Sequence, residues 1–274
     1  MSIDTSWVRF RLDFKNVNKI MKILLENLEV KLTKRDIAEK ANLPIPKTES
    51  YLYWGRYLGL VNPSGYELTD FGKLYKELWK FDRKTILEIL YYKCVRNNKL
   101  INILVNDYFK IKYSSYPYKF NIVDIDNFFK DKIKLLNFGN LDNFKEARSF
   151  FINSLSEEEG FGRLNLIKKI SRQEYEIAKC LPTWKSTFYI LGLNELSLKQ
   201  QNASLIINID RLLDEKNSLG RIFLLHEEDI DFLLDELVSM NLIKREKVSN
   251  FNQIKISENF NSESELIGVL HKYE

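Results

Sequence analysis

The sequence has few residues that break regular structure and few that bind metals. Among 274 residues there are 10 glycines, 5 prolines, 2 cysteines and 2 histidines. So few breakers argue against a loop-rich sandwich, a barrel or a collagen-like chain. Cys94 and Cys180 have no CxxC partner and no nearby histidine, so neither a zinc knuckle nor a disulfide framework is indicated. We expect both cysteines to be small core residues in a reducing cytoplasm.

Long apolar runs are also absent. No run approaches the roughly 18 to 20 residues that a membrane-spanning helix needs. Residues 1–8 lack the apolar segment of a secretory signal. We therefore expect a cytoplasmic protein without a membrane partner. With 45% hydrophobic residues, the chain is long enough to bury a core in each of two or three small domains.

The motifs of the common enzyme classes are missing. The sequence contains no HExxH, no glycine-rich phosphate loop and no GxSxG. Carboxylates that could hold a divalent ion for a nuclease, such as Asp124 and Asp126, are scattered over predicted helices. We expect no catalytic residues, no metal site and no cofactor, and we keep a metal-dependent nuclease as the alternative.

Charge is distributed unevenly along the chain. The net charge is only +4, but residues 31–99 contain 14 basic and 8 acidic residues, a local charge of +6, and the remainder sums to −2. Residues 227–236 contain six acidic residues and no lysine or arginine. Because phosphate backbones attract the first kind of segment and repel the second, we expect the two regions to have different partners.

The first 78 residues carry strong helix signals. Phe14–Leu28 has apolar residues at helical spacing. Thr33, with Asp36 three residues later, is a capping signal, and Pro46 suits the first turn of a helix. We expect helices at 14–28, 33–42, 46–58 and 69–78, a tight turn at 62–65 and a returning strand at 66–68.

This order of elements is typical of a winged helix. In that arrangement the second helix of the pair enters the major groove and the wing contacts flanking phosphates. Tyr53, Trp54 and Leu58 are expected in the core. The predicted exposed, DNA-contacting residues are Lys34, Arg35, Lys47, Thr48, Ser50, Tyr51, Arg56 and Lys73.

Two later segments repeat the pattern of a helix followed by a hairpin. A helix at 142–154 is followed by Asn165 and a hairpin within 168–177, and a helix at 227–239 by Asn241 and a hairpin within 244–256. Asparagine tolerates the left-handed conformation that ends a helix. We predict a mainly α fold with small β-hairpins, built from tandem winged-helix-like units joined by helices. The predicted domains are 1–100, 101–180 and 181–274.

Residues 107–120 are rich in tyrosine. Tyr108, Tyr113, Tyr116 and Tyr118 lie among lysines, and such a segment can stack single-stranded bases. In a chain with 13% aromatic residues, we favour a connector that packs on neighbouring helices.

Several segments resemble a known family. Residues Ser50–Val61 and Leu68–Leu74 resemble the uncharacterised bacterial family that is encoded beside phosphoadenylyl-sulfate-reductase-like genes in DNA sulfur-modification (phosphorothioation) islands. Phe161–Ile167 and Leu219–Phe223 are similar to later segments of that family. The family's His-Glu-Thr-Phe opening is absent, and Gly55 stands where the family has leucine. The resemblance implies a role in DNA modification and phage defence, and it implies no functional residue.

We predict a DNA-binding adaptor of such a system. It would read duplex DNA through the first winged helix and dock another protein of the same system through the C-terminal unit. A basic partner would contact Glu227, Glu228, Asp231 and Asp235. The alternatives are a winged-helix scaffold that binds no DNA, and a transcription regulator that binds a palindromic site as a symmetric dimer. Homo-oligomerisation is left open.

Overall fold

The computed structural model describes residues 10–114, 118–133, 141–201, 206–248 and 251–273. The described chain is mainly helical with small antiparallel β-structure, as predicted. The strands form two sheets of three strands each, where only hairpins were expected. It divides into a first unit, residues 1–75 and 93–178, and a second unit, residues 76–92 and 179–274. Each of the two units combines two segments that are distant in sequence. This division does not show which segments fold independently, so the three predicted domains stay a prediction.

The first unit opens with three helices that pack on one another. The Thr33 hydroxyl accepts the N–H of Asp36, and the Asp36 carboxylate accepts the N–H of Thr33 at 2.8 Å, which is the predicted capping box. Asn42 then ends the second helix with a left-handed φ of 50°. The three helices are α1 (Phe14–Glu26), α2 (Lys34–Ala41) and α3 (Ile45–Tyr57).

The segment after α3 differs from the expected hairpin. The predicted returning strand is reduced to a single β-bridge between Val61 and Leu68. Pro63 lies between them and has no N–H to extend a ladder. The helix predicted at 69–78 begins after Thr69 as expected, but it is divided into α4 (Asp70–Lys73) and α5 (Tyr75–Leu78).

The rest of the first unit combines short helices with a sheet of order β1-β3-β2. Tyr108 is buried, and its ring centroid lies 5.1 Å from that of Phe128, which agrees with a packed connector. Tyr116 lies outside the described residues. Asn165 has the predicted left-handed φ, at 56°. The remaining helices are α6 (Arg83–Asn97), shared with the second unit, α7 (Lys99–Ile103), a π-helix (Leu104–Phe109), α8 (Lys110–Tyr113), α9 (Ile122–Phe129), α10 (Leu141–Ser156) and a 3-10 turn (Gly162–Leu164). The strands are β1 (Lys119–Asn121), β2 (Ile167–Lys169) and β3 (Glu174–Ile177).

The second unit surrounds a sheet of order β4-β6-β5. Its predicted helix and hairpin are both present, and Asn241 between them has a φ of 59°. The helices are α11 (Trp184–Gln200), α12 (Ile209–Asp214), α13 (Leu219–Phe223), α14 (Glu227–Ser239) and α15 (Glu263–Lys272). The strands are β4 (Ile207–Asn208), β5 (Ile243–Val248) and β6 (Phe251–Ile256).

Both cysteines are buried, as predicted. Burial raises the pKa of the Cys94 thiol, and it raises the pKa of Cys180 to about 12. Neither thiol is therefore ionised near neutral pH, which fits a role in the core. In the part of the chain that the structure describes, no helix is both long enough and apolar enough to cross a membrane.

Candidate nucleic-acid interface

Helix α3 is largely enclosed by its neighbours. Thr48, Ser50 and Tyr51 are 0%, 1% and 3% exposed, so the prediction that they are exposed for DNA contact is wrong. The Thr48 and Ser50 hydroxyls donate to backbone carbonyls four residues earlier, and the Tyr51 hydroxyl accepts a hydrogen bond from Asn16. The physical reason is that α1 and α2 both pack on α3 and cover these faces.

A narrow row of polar side chains on α2 and α3 stays accessible, and we call it the α2–α3 strip. Arg35 is exposed and the other members are half-buried. Tyr53, which was expected in the core, belongs to the strip, whereas Trp54 and Leu58 are buried as predicted. The α2–α3 strip consists of Lys34, Arg35, Glu49, Tyr53 and Arg56.

Lys34 is partly neutralised within the strip. Its Nζ donates to Glu49 Oε1 at 2.7 Å, and both side chains are about one-quarter to one-third exposed. This hydrogen bond raises the pKa of Lys34, with smaller contributions from Glu49, Tyr66 and Tyr53 charges. Lys34 therefore stays protonated near neutral pH, but a phosphate would compete with Glu49 for it.

Arg56 holds the turn at 62–67 against α3. Its Nη2 donates to the Gly65 carbonyl oxygen at 2.8 Å, and its guanidinium carbon lies 4.5 Å from the centroid of the Tyr53 ring. Its Nε is buried and has no hydrogen-bond partner among the described residues. Arg56 thus has a structural role in addition to the predicted DNA contact.

Two predicted contact residues form no ion pair. Arg35 is exposed and Lys47 is half-buried, and neither forms an ion pair with another described residue. Lys73, by contrast, lies 2.9 Å from Asp70 Oδ1. Arg35 and Lys47 are therefore the predicted cations that are best placed to bind an anion without first breaking a contact.

A groove of about 920 Å³ lies beside the strip, between the end of α1, the α1–α2 loop and the segment from Asn62 to Lys73. Lys31, Lys34 and Lys73 line it together with Glu67 and Asp70, which leaves a formal charge of +1. No sequence motif marks this groove, because its lining comes from three separate segments. With a formal charge of only +1, the groove extends the positive surface of the α2–α3 strip very little.

The acidic helix α14 forms a second surface, in the other unit. Arg245 on β5 contacts the carboxylates of Asp231 and Asp235, the latter at 2.6 Å. Glu227 and Glu228 are exposed. The predicted acidic residues therefore lie along one helix, and Arg245 fixes two of them.

An exposed aromatic residue lies among these carboxylates. Phe232 is 58% exposed on α14, one helical turn from both Glu228 and Glu236. Sequence reasoning missed it, although a phenylalanine within an acidic run on the solvent face of a helix was visible as a signal. A large exposed ring beside charged groups is a typical anchor for a protein partner.

Carboxylates elsewhere have structural roles. Asp124 Oδ2 accepts the N–H of Asn121 at 2.9 Å and so caps α9, and Asp126 Oδ1 lies 3.3 Å from Arg148 Nε. In residues 10–114, 118–133, 141–201, 206–248 and 251–273, no three His, Cys, Asp or Glu side chains come together in a group that could hold a metal ion.

Comparison with known proteins identifies a shared fold. No protein-family model and no curated protein matches the sequence. A magnesium ion-bound SspB crystal structure superposes with a TM-score of 0.69 and 13% identity, covering 97% of this chain and 85% of that one. A second SspB crystal structure superposes with a TM-score of 0.66 at the same identity and coverage. At this identity the likeness concerns the fold.

Proposed function

We propose that the protein is a DNA-binding adaptor of a DNA-modification or anti-phage defence system, and that it binds rather than catalyses. The observation that carries the proposal is that two cations, Arg35 in the α2–α3 strip and Lys47 on α3, form no ion pair with a described residue. Positive charge that is free of carboxylate partners is what a phosphate backbone requires. The resemblance of Ser50–Val61 and Leu68–Leu74 to the phosphorothioation-associated family supports the defence context.

In this proposal residues 14–68 act as a winged helix. The order α1, α2, α3 and a short bridged turn supports it. Because Thr48, Ser50 and Tyr51 are buried, base contacts come from the accessible side of α3, where Tyr53 and Arg56 lie. The turn at 62–67 is the wing, and Arg56 fixes its position relative to α3.

Fluorescence anisotropy with labelled duplex, single-stranded and phosphorothioated DNA at several salt concentrations tests the proposal. Arg35→Glu with Lys47→Glu is expected to weaken duplex binding by about tenfold or more, and to reduce the slope of log K against log salt by roughly 0.9 per lost phosphate contact. Arg56 is left unchanged in this test, because its loss would also release the turn.

A matched control for this test is Lys99→Glu with Lys130→Glu. Both lysines are exposed in the first unit, away from α2 and α3 in sequence, and the change in net charge is the same. Equal losses in both double variants, or no duplex binding at low salt, would contradict the proposal. Nicking of a supercoiled plasmid with Mg²⁺ would contradict the non-catalytic part.

Helix α14 is the docking surface for another protein of the same system. Phe232 surrounded by carboxylates fits a basic segment with an apolar residue. Purified products of the adjacent genes, tested singly by biolayer interferometry, supply the candidate partners. For a partner that binds the wild type, Phe232→Ala and Glu228→Lys are each expected to lower affinity by about tenfold.

Glu246→Lys is the control for docking, because Glu246 is exposed on β5 next to Arg245 and its side chain alternates to the other face. Docking that is insensitive to Phe232→Ala, or a loss of duplex affinity in that variant, would contradict this division between the two surfaces.

A further inference from the structure

The β2–β3 hairpin of the first unit has a strongly basic tip. Residues 167–173 contain Lys168, Lys169 and Arg172 and no carboxylate. All three side chains are exposed, and none forms an ion pair with another described residue. Lys168 lies opposite Glu176 in the β2–β3 register, whereas Lys169 lies opposite Tyr175, so Lys169 and Arg172 have no carboxylate directly across from them. The tip belongs to the same unit as the α2–α3 strip.

The tip is held in one conformation by backbone hydrogen bonds. The N–H groups of Ile170 and Ser171 both donate to the Glu174 carbonyl oxygen, at 2.9 and 3.2 Å. The Gln173 carbonyl oxygen accepts the N–H of Ile122 at 3.0 Å, which ties the turn to the start of α9. A turn with a braced backbone loses little backbone entropy when it binds a partner.

The apolar residue at the tip is itself exposed. Ile170 follows Lys169 directly, and 44% of its surface is accessible. A single exposed isoleucine is ordinary on a protein surface. Its position between Lys169 and Arg172 is more specific, because the minor groove of DNA has base edges and sugars at its centre and phosphates along both sides.

We infer that the β2–β3 turn is a second contact with duplex DNA, with Lys168, Lys169 and Arg172 on phosphates and Ile170 in the minor groove. The inference rests on the proposed function, since it adds a second contact to a protein that binds duplex DNA. The observation that carries it is the braced, carboxylate-free tip with an apolar residue at its centre. Each phosphate contact releases counterions, so the hairpin raises both affinity and salt sensitivity.

Two variants separate the charges from the apolar contact. Lys168→Glu with Arg172→Glu is expected to reduce the salt slope of duplex binding by roughly 0.9 for each lost contact. Ile170→Ser is expected to weaken binding by about fivefold with the slope unchanged, because it removes apolar burial and no charge. Distamycin, a minor-groove ligand, is expected to weaken the wild type and to leave the Ile170→Ser variant nearly unaffected. Circular dichroism checks that each variant is folded.

The outcomes distinguish this inference from the proposed function. If the wild type binds no duplex DNA, the proposed function fails and takes the inference with it. A different outcome overturns the inference alone. In that case the wild type binds duplex DNA and Arg35→Glu with Lys47→Glu weakens binding. Both hairpin variants, however, have the same affinity and salt slope as the control Lys99→Glu with Lys130→Glu.

Discussion

Gly72→Ala is expected to destabilise the first unit by about 2 to 3 kcal/mol, the upper range for a methyl group forced into a packed site. A Cβ at this position would lie 2.0 Å from the Leu60 carbonyl oxygen and 2.9 Å from the Leu60 carbonyl carbon. Both are backbone atoms, so no rotation of a side chain can make room. The backbone of α4 and the segment 60–61 would have to separate.

That separation would break a cluster of hydrogen bonds around Thr69. Its N–H donates to the Leu60 carbonyl oxygen at 3.0 Å, and its hydroxyl donates to the Gly59 carbonyl oxygen at 2.6 Å. The same hydroxyl accepts the N–H of Gly72 at 2.8 Å. Thr69 therefore caps α4, and Gly72 allows the backbone of α4 to approach Leu60 closely. Together they join α4 to the segment that follows α3.

Urea unfolding followed by tryptophan fluorescence measures the effect of Gly72→Ala. Gly268→Ala serves as the comparison, because a Cβ on that exposed glycine of α15 meets nothing within 4 Å and alanine favours the helix. If Gly72→Ala had the same unfolding midpoint as the wild type, the backbone at Leu60 would be able to move away from residue 72 at little cost, and the prediction would be wrong.

The elements that were predictable from sequence are those with local causes. The predicted ends of α-helices that the structure contains are the capping box of Thr33 with Asp36 and the left-handed residues Asn42 and Asn241. Asn165 is also left-handed, but it ends the 3-10 turn Gly162–Leu164, because α10 already ends at Ser156. Such signals depend on a few neighbouring residues. They need no knowledge of what packs against the helix.

The missed elements lack such a signal or depend on packing. In α11 every residue from Ser186 to Gly192 is buried, so the helix has no apolar face and no helical periodicity to detect. In the same way, nothing in the sequence distinguishes Ser50 from Tyr53. Only the packing of α1 and α2 on α3 buries the first and leaves the second accessible. The residue types alone identify the cations of the α2–α3 strip. Which of these cations contact a carboxylate or a backbone carbonyl depends on tertiary contacts.

Glu88→Ala is expected to destabilise the second unit by about 1 to 3 kcal/mol, because it leaves buried donors without an acceptor. Glu88 is 0% exposed. Its Oε2 accepts both the N–H and the hydroxyl of Thr183, each at 2.9 Å, at the start of α11. Its Oε1 has no hydrogen-bond partner among the described residues and lies 3.6 Å from Lys84 Nζ.

Hydroxyl groups connect the carboxyl of Glu88 to that of Asp82. The Thr183 hydroxyl donates to Glu88 Oε2, and the Thr85 hydroxyl lies 2.6 Å from Asp82 Oδ2 and 2.8 Å from the Thr183 hydroxyl. The Ser186 hydroxyl also lies 3.0 Å from the Thr183 hydroxyl. Glu88 is therefore buried among polar groups at the start of α11.

Burial raises the pKa of Glu88, against the hydrogen bonds from Thr183 and Ser186 and the charge of Lys84, which lower it. Because the folded pKa lies above the unfolded one, the stabilisation from this proton is complete below the usual glutamate pKa of about 4.3 and is lost as pH rises through the raised folded value. Glu88→Gln cannot titrate, and its amide oxygen still accepts from Thr183. This variant is therefore expected to match the wild type at low pH and to equal or exceed its stability at pH 8.

Unfolding midpoints in urea across this pH range, with hydrogen exchange of the α11 amides as the local measurement, compare the variants. Glu246→Gln on β5 is the matched control, since Glu246 is exposed and its loss leaves no buried donor unpaired. The expected pattern is a flatter pH dependence in both Glu88 variants and not in Glu246→Gln, with an additional loss of stability in Glu88→Ala that Glu88→Gln does not show. If Glu88→Gln kept the pH dependence of the wild type, a group other than Glu88 would be responsible for it.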